Sequence, residues 1–475
     1  MNDTSKPLSR AVENILPVNP ILGRDRGRPL AERMALYNCP GISICLISDG
    51  EIVDAAGYGV VEVGGAPVEV QTMFAGASIS KPVAAVLAMQ LVEQGLIDLD
   101  GPINNHLKRW RLPDNDFTRA TPVTLRHLLC HKAGTTVHGF GNYPTDLPAP
   151  TLLDILSGAP PSPTPAVLVD KAPGGSVRYS GGGTQIVQLM LEDQTGLAFA
   201  DLARTRIFEP LGMASTTFEQ PLPARFQPLA AVGHDGSGAP IASRQTFTPQ
   251  QAAGGIYTTA TDYARFMIEC RKGWLGLPNK VLGQAASRAM MTRQDPGQFG
   301  LGWEVFGDGE TARFSHGGSN EGFQCTSSLS LDTGNGAVIL TNSLLGIILH
   351  AEVLNSLAET FDWEGLKRPW KRVVEISQAE KDRLVGRYDI VSGVSAPYID
   401  IWREDDQLFS RTEGFIFPPR AIFLGENGRF FGQQTPAETQ VRYGQDGLAE
   451  ELTAFGEGEV EILRAVRRAG EEVAA

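Results

Sequence analysis

The segment Pro82–Met89 reads Pro-Val-Ala-Ala-Val-Leu-Ala-Met, a run without one polar side chain. A helix built from it is apolar on every face, so it has to lie inside a core with other elements packed all round it. Proline at position 82 lacks an N–H and fits only near a helix start, which places Ser78 in or just before the first turn. Gly95 marks the other end. The entry to this helix is the tetrad Ser78-Ile79-Ser80-Lys81, and Ser78 is the one serine in the chain followed by lysine at the third position. At that spacing the two side chains share a face. The hydroxyl then sits beside an amine, at the positive end of a helix and against a dry core. Desolvation disfavours the ammonium form and equips the lysine to act as a base.

Size and composition narrow the classes open to such a chain. With 475 residues there is room for two or three domains. An apolar content of 42% and a charged content of 20% are ordinary for a soluble globular protein. A net charge of −13 argues against nucleic acid or an anionic membrane surface as partner. No apolar run reaches transmembrane length. The segment Met1–Pro7 is polar and lacks the apolar stretch of a secretory signal. Five scattered cysteines, Cys39, Cys45, Cys130, Cys270 and Cys325, suit reduced thiols better than a disulfide frame. The expectation is therefore a cytoplasmic protein, or a periplasmic one if a leader has been removed. Oligomeric state is left open.

Along the chain, Gly41–Ile47 and Glu51–Asp54 flank Asp49-Gly50 and predict a hairpin. A short helix is expected near Thr124–His131. Residues 140 to 175 are crowded with proline and read as a functional loop or lid. Helical periodicity returns at Thr184–Leu191 and Asp262–Met267, and the pattern from 299 to 342 turns to antiparallel strands. Residues 366–378 are expected to link a domain spanning 1–365 to another spanning 379–475. The latter shows short alternating segments such as Tyr398–Arg403, separated by Asp405-Asp406, Glu426-Asn427-Gly428 and Gln445-Asp446-Gly447. That spacing predicts a small all-β barrel or sandwich.

A serine–lysine pair needs a group to pass the proton onward and donors for an oxyanion. Tyr179-Ser180-Gly181-Gly182-Gly183 offers a phenol on a tight glycine turn at a cleft edge. Between two cationic groups that phenol is expected to lose its proton near neutral pH and shuttle it. Phe314-Ser315-His316-Gly317-Gly318-Ser319-Asn320 offers a histidine at the end of a strand, with glycines that let a substrate backbone come close. His316 is expected to carry a charge that varies near neutral pH. Taken singly, each segment also reads as an ordinary turn.

In this order, the three segments resemble the serine β-lactamase and penicillin-binding-protein family. The likeness is to its class C, family VIII esterase and D-aminopeptidase branch, over about residues 30 to 360. The family's Ser-x-x-Lys, Tyr-x-Asn and Lys-Thr-Gly or His-x-Gly stand here as Ser78–Lys81, Tyr179–Gly181 and His316–Gly318. Leu128–Gly134, Glu209–Met213 and Ala253–Thr259 also look familial. The resemblance implies an α/β (α+β) fold: an antiparallel sheet flanked by helices, a helical subdomain and, from about Lys381, a lipocalin-like β domain. It implies Ser78 as acylated nucleophile, Lys81 as its base, Tyr179 as proton shuttle and His316 opposite the lysine. The backbone N–H groups of Ser78 and Ser319 would form the oxyanion hole, with Gly181, Gly317 and Gly318 along the substrate. No cofactor and no metal are implied. Gly181 departs from the family's asparagine, which turns the expectation away from strong β-lactamase action.

The expected partner is a small-molecule ester, amide or peptide, most simply a small ester or D-amino-acid-like amide that is hydrolysed. Acyl transfer to an alcohol or amine, as in a peptide macrocyclase of penicillin-binding-protein type, weak β-lactamase action and a catalytically silent sensor are alternatives. An α/β-hydrolase would need a Gly-x-Ser-x-Gly elbow and a zinc hydrolase a His-Glu-x-x-His helix, and neither occurs. His127 and His131 flank Cys130, but no further ligand follows from spacing, so local packing is expected of them.

Overall fold

The computed structural model describes residues 6–242, 246–394, 396–415 and 417–469. It divides into two compact units. Met34–His350 forms nearly all of the first, while Ser9–Arg33 groups with Ala351–Ala475 in the second.

A six-stranded sheet organises the first unit. Its strands run in the order Glu51–Gly59, Gly41–Ser48, Gly336–Thr341, Phe323–Ser330, Arg313–Asn320, Glu304–Phe306, and every neighbouring pair is antiparallel. The hairpin predicted around Asp49-Gly50 is its first two strands. Gly41–Ser48 and Gly336–Thr341 are buried on nearly every residue. Such strands lose the alternation of a half-exposed strand and read as continuous apolar runs. The helix Ala260–Leu275 packs on these central strands.

The apolar run forms the helix Ser80–Glu93, buried at Val83 through Met89 and again at Leu91. It packs against Gly181–Thr195 and Gln251–Gly254. Each fully buried valine or leucine there contributes roughly 1.5–3 kcal/mol. Gly95 ends the helix with φ +69°, the left-handed geometry that glycine adopts at little cost. The short helix Leu125–Leu129 starts on a Thr124 cap. The proline-rich stretch is irregular apart from Tyr143–Pro144 and the helix Leu152–Ser157.

The second unit contains a closed eight-stranded barrel from Gly386–Ser392 to Glu461–Arg467. The three turn signals fall between strands. The grouping of the chain differs from the expected break at 365/366, because hydrogen bonds tie Ser9–Arg33 to the residues after 350. Arg33 Nε donates to the buried Glu352 carboxylate at 2.8 Å, and the Leu16 N–H to Ser356 Oγ at 2.8 Å. Neither partnership leaves a local signature in sequence.

Candidate active site

The turn that carries Ser78 is built by a bulge. Strand Phe74–Ala77 pairs with Ile256–Thr258, and the register slips between Ala75 and Ala77. Bulges of this kind re-aim the chain. Ala77 takes φ +49°, a conformation a residue with a Cβ adopts only when its surroundings hold it there. Those surroundings are explicit. Ser80 Oγ donates to the Ala77 carbonyl at 2.6 Å and accepts the Ile256 N–H at 3.1 Å. The Tyr263 hydroxyl donates to the Ile79 carbonyl at 3.0 Å. Ser78 is thus presented in the turn just ahead of the helix, as the position of Pro82 predicts.

Lys81 lies in the first helical turn, 5% exposed. Its Nζ donates to Ser78 Oγ at 2.9 Å and to the Ala253 carbonyl at 2.7 Å, and lies 4.8 Å from the centre of the Tyr179 ring. Burial without a carboxylate partner lowers its pKa to about 7. The amine is therefore substantially neutral at physiological pH.

Tyr179 precedes the helix Gly181–Thr195, whose N-cap is Ser180. Gly181 to Gly183 form the first turn of that helix rather than the glycine turn expected. The Tyr179 hydroxyl interacts with the Ser78 hydroxyl, and its ring lies against that of His131, with centroids 4.3 Å apart and planes tilted by 34°. Burial pushes its pKa up despite the Ser78 contact. This corrects the expectation of a phenolate near neutral pH: loss of hydration outweighs the nearby amine, so the phenol keeps its proton. His131 is uncharged for the same reason and accepts the Ser180 N–H at 3.3 Å. His127 accepts the Thr124 N–H in the cap of its helix.

His316 lies in the middle of strand Arg313–Asn320, not at its end. Its Nδ1 faces the Gly317 carbonyl at 2.6 Å. A carbonyl only accepts, so Nδ1 carries the proton and Nε2 the lone pair. That Nε2 is buried without a partner. Burial, reinforced by Lys81, lowers the pKa of His316 to about 3. The expected variable charge is therefore corrected to a neutral ring presenting an acceptor.

Ser78, Lys81, Tyr179, His316, Gly181, Gly317, Gly318 and Ser319 all line one cavity of about 570 Å³. Gln250, Glu304 and His350 also line it and belong to none of those segments. Gln250 is fully buried with neither side-chain heteroatom paired. Burial raises the Glu304 carboxyl and lowers His350 to about 3. Their one sequence signal is polarity inside apolar surroundings. At Gly181, a Cβ would meet Phe140 Cε2 at 2.9 Å and the His138 carbonyl oxygen at 3.1 Å. The loop occupies the room in which the family's asparagine would begin.

An antiparallel sheet, a buried helix and a serine–lysine pair at its head mark the class. The chain belongs to the β-lactamase family, whose model matches residues 28–348. It is accordingly an enzyme of the serine-hydrolase type. It is 28% identical over 331 residues to penicillin-binding protein 4 of Amycolatopsis lactamdurans, covering 64% of this chain and 81% of that protein. It is 27% identical over 298 residues to esterase EstB of Burkholderia gladioli, covering 55% and 70%. Among solved structures, the octameric penicillin-binding protein homologue of Pyrococcus abyssi has a TM-score of 0.59 at 21% identity, covering 92% and 98%. The D-amino acid amidase of Ochrobactrum anthropi SV3 has a TM-score of 0.58 at 23% identity, covering 75% and 98%. At these identities the two structures bear on the fold alone.

Proposed function

We propose that this protein forms an acyl-enzyme on Ser78 and hydrolyses a small ester or a D-amino-acid-like amide. The observation that carries the reading is the 2.9 Å contact between Lys81 Nζ and Ser78 Oγ, made by an amine whose pKa is about 7. A general base is most effective with a pKa near the working pH. Neutral Lys81 takes the Ser78 proton as Oγ attacks the carbonyl carbon. The backbone N–H groups of Ser78 and Ser319 would receive the oxyanion. The Tyr179 phenol, beside Ser78 and Lys81, passes a proton to the leaving oxygen or nitrogen and is reprotonated from Lys81. Water then attacks the acyl carbon by the reverse relay.

The polar groups around the nucleophile support a substrate that donates and accepts hydrogen bonds. His316 Nε2 is an acceptor awaiting a donor, and Gln250 has both an acceptor and donors unused. An amide or an α-amino group beside the scissile carbonyl would satisfy them. The relative named as an esterase fits that chemistry. Labelling with a fluorophosphonate, followed by a panel of p-nitrophenyl esters, D- and L-aminoacyl amides and nitrocefin, tests it. The expected result is labelling abolished by Ser78→Ala, with turnover of esters or D-aminoacyl amides exceeding that of nitrocefin. Labelling that survives Ser78→Ala would remove the nucleophile from this role.

A further inference from the structure

The cavity around Ser78 is poor in positive charge. Among the described residues that line it there is no arginine, and its one lysine is Lys81, the amine already paired with Ser78 Oγ. A carboxylate on a substrate finds no counter-ion there beyond that amine. Glu304 supplies the opposite sign. It is the one carboxylate among the described lining residues, and it opens the strand Glu304–Phe306, beside the strand that bears His316.

Glu304 is left half-paired. Its Oε1 accepts from Gln298 Nε2 at 2.8 Å, and its Oε2 has no hydrogen-bond partner among the described residues. No ion pair takes it among these residues either. Arg313, the cation whose charge it feels, lays its guanidinium over the Phe306 ring at 4.8 Å. His316 is the second open acceptor: it is 3% exposed, and its Nε2 lone pair has no donor. Both groups accept, one of them is anionic, and both line the same space. An ammonium offers donors alone and a positive charge, so it satisfies both through charge-assisted hydrogen bonds.

The position of the two acceptors tells which half of the substrate carries that ammonium. Tyr179 is the group that hands its proton to the leaving atom. The charge of Glu304 acts on its phenol, and the His316 ring lies 6.3 Å from the Tyr179 ring, centre to centre. We propose that Glu304 and His316 form a leaving-group subsite for an ammonium, so that the preferred substrate is the ester of an amino alcohol or the amide of a diamine. The subsite rests on the acyl-enzyme at Ser78. In that step the bond from Ser78 Oγ to the acyl carbon forms, and the scissile C–O or C–N bond breaks. Its electron pair goes to the leaving atom, which takes the proton of Tyr179. The ammonium keeps its own protons and holds the leaving group against Glu304. A leaving group that ends in a carboxylate is repelled by the same residue.

Three butyrate esters share one acyl-enzyme and differ in the leaving group alone: dimethylaminoethyl, its uncharged isostere isopentyl, and carboxyethyl. For each, kcat/KM of the full-length protein at neutral pH is divided by the ester's uncatalysed rate of hydrolysis at the same pH. The dimethylaminoethyl ester is expected to lead the isopentyl ester by at least about tenfold, with the carboxyethyl ester last. Glu304→Gln should bring the ratio of the first two toward one, and Glu304→Asp should keep part of it. Thermal unfolding checks both variants; should Glu304→Gln unfold, the series on the wild type and on Glu304→Asp still decides. Equal normalised values for the three esters, an undiminished ammonium preference in folded Glu304→Gln, or a lead for the carboxyethyl ester would each overturn the subsite and leave Ser78 as the nucleophile. Turnover of none of the three, while a fluorophosphonate still labels Ser78, overturns it as well. Absence of that labelling in the wild type overturns the acyl-enzyme and the subsite together.

Discussion

Gly318 lies so close to Gly76 that a Cβ on it would come within 2.2 Å of the Gly76 carbonyl oxygen. The same oxygen accepts from Cys325 Sγ at 3.2 Å. The strand that bears His316 is thereby pressed onto the bulge that presents Ser78. Replacing Gly318 by alanine has to part the two, because the obstructing atom is backbone. Gly318→Ala should cost about 1–3 kcal/mol of stability and lower kcat at least a hundredfold, measured by chemical denaturation and steady-state kinetics. A variant with wild-type kcat would show that the contact does not set the position of Ser78.

The pH profile follows from the ionisations around the nucleophile. Lys81 has to lose its proton to act as base, so kcat/KM should climb with pH and level off above about 7. His316, at about 3, contributes no limb between about pH 5 and 9. Tyr179 is held above its usual value and contributes no falling limb there either. Lys81→Ala should nearly abolish acylation of a fluorophosphonate probe. A limb near neutrality that vanishes in His316→Gln would assign the titration to the wrong partner here.

Lys81 also links function to stability. Its folded pKa is depressed, so between about 7 and lysine's ordinary 10.5 the unfolded chain binds more protons than the native one. This group's contribution to stability therefore rises with pH through that window, by at most about 1.4 kcal/mol per pH unit. Lys81→Met removes the slope. Its stability relative to wild type should be greatest below pH 7 and decline toward pH 10, read from urea unfolding at fixed ionic strength. A pH-independent difference would mean the amine is not titrating in the native core.

Gln250 carries an unpaired amide into the cavity at a cost in stability. Gln250→Leu relieves it, and the protein should gain about 1–3 kcal/mol. The same change should raise KM for an aminoacyl amide about tenfold, the equivalent of one lost hydrogen bond, and move p-nitrophenyl acetate turnover less than threefold. Equal losses on both substrates would point to a distorted site instead.

Much of this site is legible in sequence. An all-apolar helix, a proline at its start and a lysine three residues after a serine fix Ser78 and Lys81 relative to one another. Asp49-Gly50 sets the hairpin, and turn residues delimit the barrel strands. Burial is the part that sequence conceals. Tyr179 and His316 are polar residues beside glycines, and only the packed fold shows that their surroundings hold both uncharged. Gln250, Glu304 and His350 reach the cavity from separate segments, so no spacing rule links them. The tie between Ser9–Arg33 and the residues after 350 is likewise a long-range hydrogen-bond pattern.

Gly181 tests how far the resemblance extends. Gly181→Asn restores the family's residue, yet its Cβ would meet Phe140 and the His138 carbonyl. The single variant should lose stability and gain no nitrocefin turnover. Adding Phe140→Ala should recover the stability, measured as Tm, because part of the obstruction is side chain. Nitrocefin turnover by the single variant would show that the loop yields.

The barrel's first strand bonds to its last, and a ring has no ends. No foreign strand can lengthen it, since its ladder offers no terminal row of free N–H and C=O groups. The six-stranded sheet is finite, bounded by Glu51–Gly59 and Glu304–Phe306. Strand addition is therefore open to that sheet and closed to the barrel. A second molecule that recognises the barrel has to do so through side chains, and its selectivity can be redesigned there without disturbing a single ladder bond.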